Sequence, residues 1–252
     1  MKNKMLITLR LPALQRALHA RFFVVAAVLL VLAAANHAHA ATAEADDQNF
    51  FRIGGERAIF HDQNAGFQGP GIPAGAHLET QVEDLSAVFL SYARGFTPHV
   101  ELELQLGIPP DFKAHARGPA SVGSVPYAGV PLTNGKVMSP SATLNYKFNE
   151  PGGFYRPFVG AGLVYSHFYD IHDTPGTDAI NGGPTKINFT DSFGLLVVAG
   201  VSFHLAEHLY AQLSVSKADV RPDVTTETAG IKRTNHIDLG PIVFIGALSY
   251  GF

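Results

Sequence analysis

The sequence predicts an all-β fold, an eight-stranded antiparallel transmembrane β-barrel with short periplasmic turns and long extracellular loops. Three observations carry this expectation. Segments of strand length alternate apolar and polar side chains. The connections between them alternate short and long, as they do in outer-membrane barrels. The chain also opens on a segment with the build of an export leader.

The leader comes first. Lys2, Lys4, Arg10, Arg16 and Arg21 precede or open the apolar run "FFVVAAVLLVLAAA" (22 to 35), which ends in "AHA" before Ala41. This reads as a signal peptide, residues 1–40, cleaved after Ala40, with 41–252 as the barrel. A membrane anchor needs about 20 apolar residues, and this run is shorter and ends in a small-x-small site. Export through the periplasm to the bacterial outer membrane is the expected route. Without the leader's five cations, 13 Lys and Arg face 21 Asp and Glu, a net charge of −8 that argues against nucleic acid as a partner. With no cysteine, neither disulfides nor thiolate metal sites are available.

Eight strands are expected at 50 to 60, 84 to 93, 99 to 108, 138 to 148, 154 to 169, 191 to 204, 208 to 219 and 235 to 252. The first two alternate poorly. The third, "HVELELQLGIP" (99 to 109), puts Val100, Leu102, Leu104, Leu106 and Ile108 on one face and Glu101, Glu103 and Gln105 on the other. The fourth groups Ala142, Leu144, Tyr146 and Phe148, and the sixth groups Phe193, Leu195, Val197, Ala199, Val201 and Phe203. The last, read back from Phe252, aligns Tyr250, Leu248, Gly246, Phe244 and Ile242. "RGFTP", "NEPGG" and "LAEH" are the short turns, whereas 61 to 83, 109 to 137, 170 to 190 and 220 to 234 are long and rich in Gly, Pro, Asp and Thr. A soluble β-sandwich also fits the alternation, with the leucines inside. Export, strand number, loop asymmetry and Phe252 favour lipid outside and glutamates in the lumen. Without tryptophan, the interfacial aromatics fall to Phe148, Tyr155, Tyr165, Phe203, Tyr250 and Phe252.

Five segments, "FFRIGG" (50 to 55), "VELELQLGIP" (100 to 109), "YRPFVGAGLVYSHFYD" (155 to 170), "DSFGLLVVAGVSF" (191 to 203) and "HIDLGPIVFIGALSYGF" (236 to 252), resemble the OmpW family of small outer-membrane proteins. That family includes porin-like and alkane-uptake members. The resemblance implies an eight-stranded barrel whose narrow, apolar lumen passes small hydrophobic molecules. Its implied partners are outer-membrane lipid and lipopolysaccharide, small hydrophobic solutes, and the barrel-assembly machinery during insertion.

Eight strands leave an interior that side chains nearly fill, so the identity of the inward residues matters more than the diameter. Strand direction and alternation place Arg52, Glu101, Glu103, Lys147 and Arg156 inward near the periplasmic end, as a salt-bridged floor or as wetted rim residues. Higher up, Leu239, Pro241, Val243 and Ile245 with Leu196 and Val198 line an apolar ligand path or pack a closed barrel. A greasy ligand entering from outside meets the charged layer below, so lateral exit into lipid is the easier route. The alternative function is a structural, receptor or adhesive barrel working through its loops.

Catalysis is not expected. Ser202 and His204 share a strand face but lack a carboxylate partner and an oxyanion site in the sequence pattern. His167, Asp170, His172 and Asp173 have metal-compatible side chains, yet loop His and Asp are commonly just solvated, and neither metal nor cofactor is expected. "GAGLVY" is a strand rather than a phosphate loop, and "NFT" (188 to 190) lacks a glycosylating host.

Overall fold

The computed structural model describes residues 47–61, 63–73 and 75–252; the leader, its expected cleavage site after Ala40 and residues 41–46 lie outside them. In chain order the first strands are β1 (Asn49–Ile59), β2 (Gln63–Asn64), β3 (Glu79–Val82), β4 (Leu85–Gly95), β5 (Val100–Gln105) and β6 (Asp111–Arg117). Then come β7 (Ser121–Val122), β8 (Val125–Pro126), β9 (Pro131–Met138), β10 (Ser141–Lys147) and β11 (Tyr155–Asp173). A short helix, α1 (Pro175–Asn181), precedes β12 (Thr185–Phe189), β13 (Ser192–Ala206), β14 (Leu209–Ala218), β15 (Asp223–Thr228), β16 (Ile231–Asp238) and β17 (Ile242–Gly251).

Eight of these close the barrel. The hydrogen-bonded order is β1, β4, β5, β10, β11, β13, β14 and β17, and β17 returns to β1 through ten register pairs from Phe50↔Gly251 to Ile59↔Ile242. Every neighbour is antiparallel. Closure satisfies the backbone without a free edge, which a sheet in lipid requires.

Which face looks inward is settled by exposure. Leu144 and Leu195 are 55% and 68% exposed, while Glu101 and Glu103 are 2% and 1% exposed. Fully burying one large aliphatic side chain is worth about 1.5–3 kcal/mol, so an outward band of them is stable only against lipid. This excludes the sandwich. Gly160 and Gly162 take inward positions where the wall crowds: a Cβ on Gly160 would lie 2.0 Å from Asn145 Oδ1, and one on Gly162 1.9 Å from Ala142 O.

At the end carrying the short turns, aromatic rings pair along the outside. Phe51 stacks on Phe252 at 5.5 Å and leans on Tyr92 at 5.3 Å, Tyr146 meets Phe148 at 5.1 Å, and Phe154 meets Phe203 at 6.0 Å. Tyr165 belongs to the opposite end, where its hydroxyl donates to Asp191 Oδ2 at 2.6 Å.

Two expectations need correction. The segment 235 to 252 is not one strand: Gly240 adopts φ +40, Pro241 has no N–H to donate, and the chain breaks between β16 and β17. The long connections are also not irregular. β11 runs on to Asp173 through a bulge at Tyr169/His172, and β9, β6 and β3 pair onto it in sequence, extending the wall above the barrel. β12, β15, β16 and β2 form a second outer sheet. Thr174 caps α1 by accepting from the Thr177 N–H. The apolar core sits where barrel and outer sheets meet, around Phe112, Phe168, Phe189, Val224, Ile237 and Leu239.

Candidate functional site in the lumen

The lumen is built in layers. Near the short turns, Arg52 of β1 donates from Nη2 to both oxygens of Glu101, at 2.8 and 2.9 Å, and sets Nη1 2.8 Å from Glu103 Oε1. Lys147 of β10 closes on Glu101 Oε2. Ser91 Oγ donates to Glu103 Oε1 at 2.6 Å and Asn145 Nδ2 to Glu103 Oε2 at 3.1 Å. Lys147 Nζ also lies 4.5 Å from the centre of the Phe50 ring. Two acids and two bases thus balance in a nearly dry layer, and the floor is a salt-bridged cluster rather than a wetted rim.

Arg156 is the exception. Its Nη2 donates to the turn carbonyls of Pro98 and Asn149, outside the cluster. The register explains why: Lys147 pairs with Phe158, so Arg156, the next inward residue toward the turns, sits one step closer to the rim.

Above the floor is a cavity of about 130 Å³. Of the residues the sequence assigns to a ligand path, Leu239, Val243, Ile245 and Leu196 line it, as does Pro241. Val198 does not; it is buried lower, where its Cγ1 would lie 3.0 Å from a Cβ on Gly160. Sequence reasoning missed two contributors. One is the aromatic triad Phe112, Phe168 and Phe189, with ring centres 5.3 to 5.9 Å apart. The other is Glu56, the single ionisable side chain among the described residues lining the cavity. "DFKAHAR" (111 to 117) carries a period-two signal for Phe112, but the two glycines of "RIGGER" obscure the alternation that turns Glu56 inward.

A second cavity of about 90 Å³ lies in the outer region, lined by Phe67, Leu78, Tyr127, Leu132, Ile187 and Val224 among others. Phe189 lines both cavities and so forms part of the partition between them. The Tyr127 hydroxyl donates to Glu79 O at 3.0 Å, and burial pushes its phenol well above the usual range, so it stays a donor.

The barrel wall beside the first cavity is incomplete. Ladder pairing between β5 and β10 ends at Gln105↔Ser141, and among the described residues the next backbone bond across that seam is Val137 N–H to Pro110 O at 3.3 Å. Pro109, Pro110 and Pro140 fall in the interval and offer no N–H to the ladder. Gly107, Ile108, Pro109, Met138 and Ser139 line the cavity there.

The remaining candidates have structural surroundings. His204 stacks on Tyr210 at 4.8 Å, whose hydroxyl donates to Asp47 Oδ2 at 2.9 Å; Ser202 lies alongside in a small cavity of the rim. His167 pairs with Asp191 at 2.8 Å and His172 with Asp170 at 3.1 Å, so the two histidines face different carboxylates.

Known proteins share this architecture. The model of the OmpW family matches residues 54–252, nearly the whole described chain. The chain belongs to the OmpW family. Outer membrane protein W of Vibrio cholerae is 27% identical over 174 residues, which span 69% of this chain and 77% of that one. Outer membrane protein W of Escherichia coli K12 is 23% identical over 164 residues, 65% and 71% of the two chains. Among solved structures, the outer membrane protein OprG of Pseudomonas aeruginosa superposes with TM-score 0.72 at 19% identity, covering 82% of this chain and 96% of that one. The outer membrane protein AlkL in lipid bilayers follows at TM-score 0.60 and 16% identity, covering 86% and 96%. The two structural likenesses establish the fold: this OmpW-family chain is an outer-membrane β-barrel.

Proposed function

We propose that this OmpW-family barrel gives small hydrophobic molecules a narrow conduit across the outer leaflet, with lateral exit into lipid. One observation carries the reading: a mainly apolar cavity stands directly above a charge-balanced, closed floor. A hydrocarbon gains by leaving water for the cavity, roughly 0.8 kcal/mol per buried CH₂. Straight passage downward would require it to part ion pairs whose separated charges are costly in a dry layer. The seam between β5 and β10 offers an exit at cavity height instead, and the ligand then never reaches the floor. The same arrangement fits a protein with no catalytic role and no cofactor, whose partners are its solutes, the surrounding lipid and lipopolysaccharide, and the assembly machinery that inserts it.

The test compares uptake of an alkane-like solute by cells with and without the protein, alongside ion conductance of the purified barrel in planar bilayers. The conduit reading expects faster uptake with low conductance. Equal uptake in the two strains overturns it and favours a structural or adhesive role, to which the ordered outer sheets are suited.

A further inference from the structure

The proposed conduit has a polar feature that a path for pure hydrocarbon would not need. Glu56 lies on β1 between Ile245 of β17 and Ala87 of β4, half-buried, with its carboxylate facing the cavity. Among the described residues no hydrogen bond or ion pair holds it. The lining contains no Lys, Arg or His. Arg57, next in sequence, points the other way to Asp84 and Ser86. Arg52, the nearest inward cation on the same strand, is already committed to Glu101 and Glu103 in a layer whose charges cancel. A carboxylate in such a place lacks the donors that would offset its desolvation.

The surroundings leave space for a donor to arrive. Gly107 faces Glu56 across β4, on the near edge of the seam; a Cβ there would come within 3.4 Å of Glu56 Oε1 and 3.0 Å of Val88 O. Neutral polar groups flank the same side, with Ser141 Oγ donating to Gln105 Oε1 at 3.0 Å. The opposite wall is mainly apolar, with Val164, Phe168, Leu196 and Leu239, and its polar groups are the neutral hydroxyls of Ser166 and Ser216. The cavity is therefore amphipathic across its section, with one uncompensated negative charge.

Resting on the conduit reading, we infer that the cavity is a binding site for cationic amphiphiles, in which an alkylammonium head donates to Glu56 beside Gly107 and the tail lies against the aromatic and aliphatic wall. A primary ammonium supplies three N–H donors and a full counter-charge. A fatty carboxylate would meet repulsion, and a plain alkane would leave Glu56 unsatisfied.

The experiment uses the protein in zwitterionic nanodiscs with an uncharged fluorescent apolar probe in the lumen, displaced by dodecylammonium, dodecanoate or dodecane and corrected against empty discs. Dodecylammonium is expected to displace the probe at about tenfold lower concentration than dodecanoate, a difference of roughly 1.4 kcal/mol. Glu56→Gln should bring the two within a small factor while displacement by dodecane is unchanged. Gly107→Ala, whose methyl would rest against Glu56 Oε1 where the ammonium head is to sit but leaves the charge in place, should also reduce the preference. Equal displacement by the two ions in the wild type, or an undiminished preference in Glu56→Gln, overturns the inference and leaves the conduit standing. If neither probe nor dodecane binds, the conduit reading fails and takes this one with it.

Discussion

Arg52 grips Glu101 with one nitrogen, Nη2 lying 2.8 and 2.9 Å from the two carboxylate oxygens, while its other terminal nitrogen reaches Glu103. One guanidinium from β1 thus reaches past β4 to two rungs of β5, and Lys147 of β10 completes the bridge on Glu101. Removing one side of such a buried cluster strands the other. Glu101→Gln is expected to destabilise the barrel by about 3 to 5 kcal/mol, and adding Lys147→Met should restore part of that loss. Arg156→Met, paired with Glu101→Gln, should show no coupling, because Arg156 engages turn carbonyls. Urea unfolding in lipid, read as a double-mutant cycle, separates the two cases.

The floor also marks where the sequence stops being informative. Alternation in "VELELQLG" and "SATLNYK" assigns each side chain to a face, because one face meets lipid and the other does not. It says nothing of height along the barrel axis, which depends on pairing such as Lys147↔Phe158, and so Arg156 and Val198 are misplaced by a step. The outer strands escape for another reason. "VTTET" (224 to 228) and "TKINF" (185 to 189) have strand-compatible residues, but the Gly and Pro that flank them in "NGGP" (181 to 184), "RPD" (221 to 223) and "AG" (229 to 230) read equally as loop. What orders them is the tertiary apolar contact of Val224 and Phe189 with the lumen core.

Phe252 is tied to the start of the barrel. Its N–H donates to Asn49 O at 2.9 Å, its carbonyl accepts from Asn49 N–H at 3.0 Å, and its ring stacks on Phe51. Deleting it removes three hydrogen bonds with Asn49, the third from its side-chain Nδ2 to the Phe252 carbonyl at 3.2 Å, and a ring contact at the line where β17 meets β1. The expected result is less folded, heat-modifiable protein in the outer membrane. Normal yield and a normal heat-induced gel shift would show that the seam closes without it.

Phe189 separates the outer cavity from the lumen cavity. Replacing it with Ala removes a buried ring from the triad with Phe112 and Phe168, a change that typically costs about 3–5 kcal/mol in a packed core. The outer region should become more sensitive to protease while the barrel keeps its gel shift. If the two cavities lie in series on one path, uptake of hydrophobic solutes should rise, most for the bulkiest. A fall or no change would place the outer cavity off the path.

Val243 is the sharpest site at which to test transport itself. It lines the cavity, faces inward on β17 and pairs in register with Ala58 of β1, two residues above the Glu56↔Ile245 pair. Val243→Asp would add a carboxylate to a lumen that already holds one unpartnered acid, at a cost of several kcal/mol unless water or a cation accompanies it. An alkane entering from outside would meet this hydrated charge before the seam at Gly107 and Ile108, so its uptake should fall severalfold. Small-cation conductance in planar bilayers should stay low, because the Arg52 and Lys147 layer beneath still closes the lumen. Combining Val243→Asp with Glu101→Gln and Lys147→Met should raise it. Folding is checked by the gel shift, and Val243→Leu, which keeps the lining apolar, serves as the control. Full alkane uptake in a folded Val243→Asp barrel would take the lumen cavity out of the transport path.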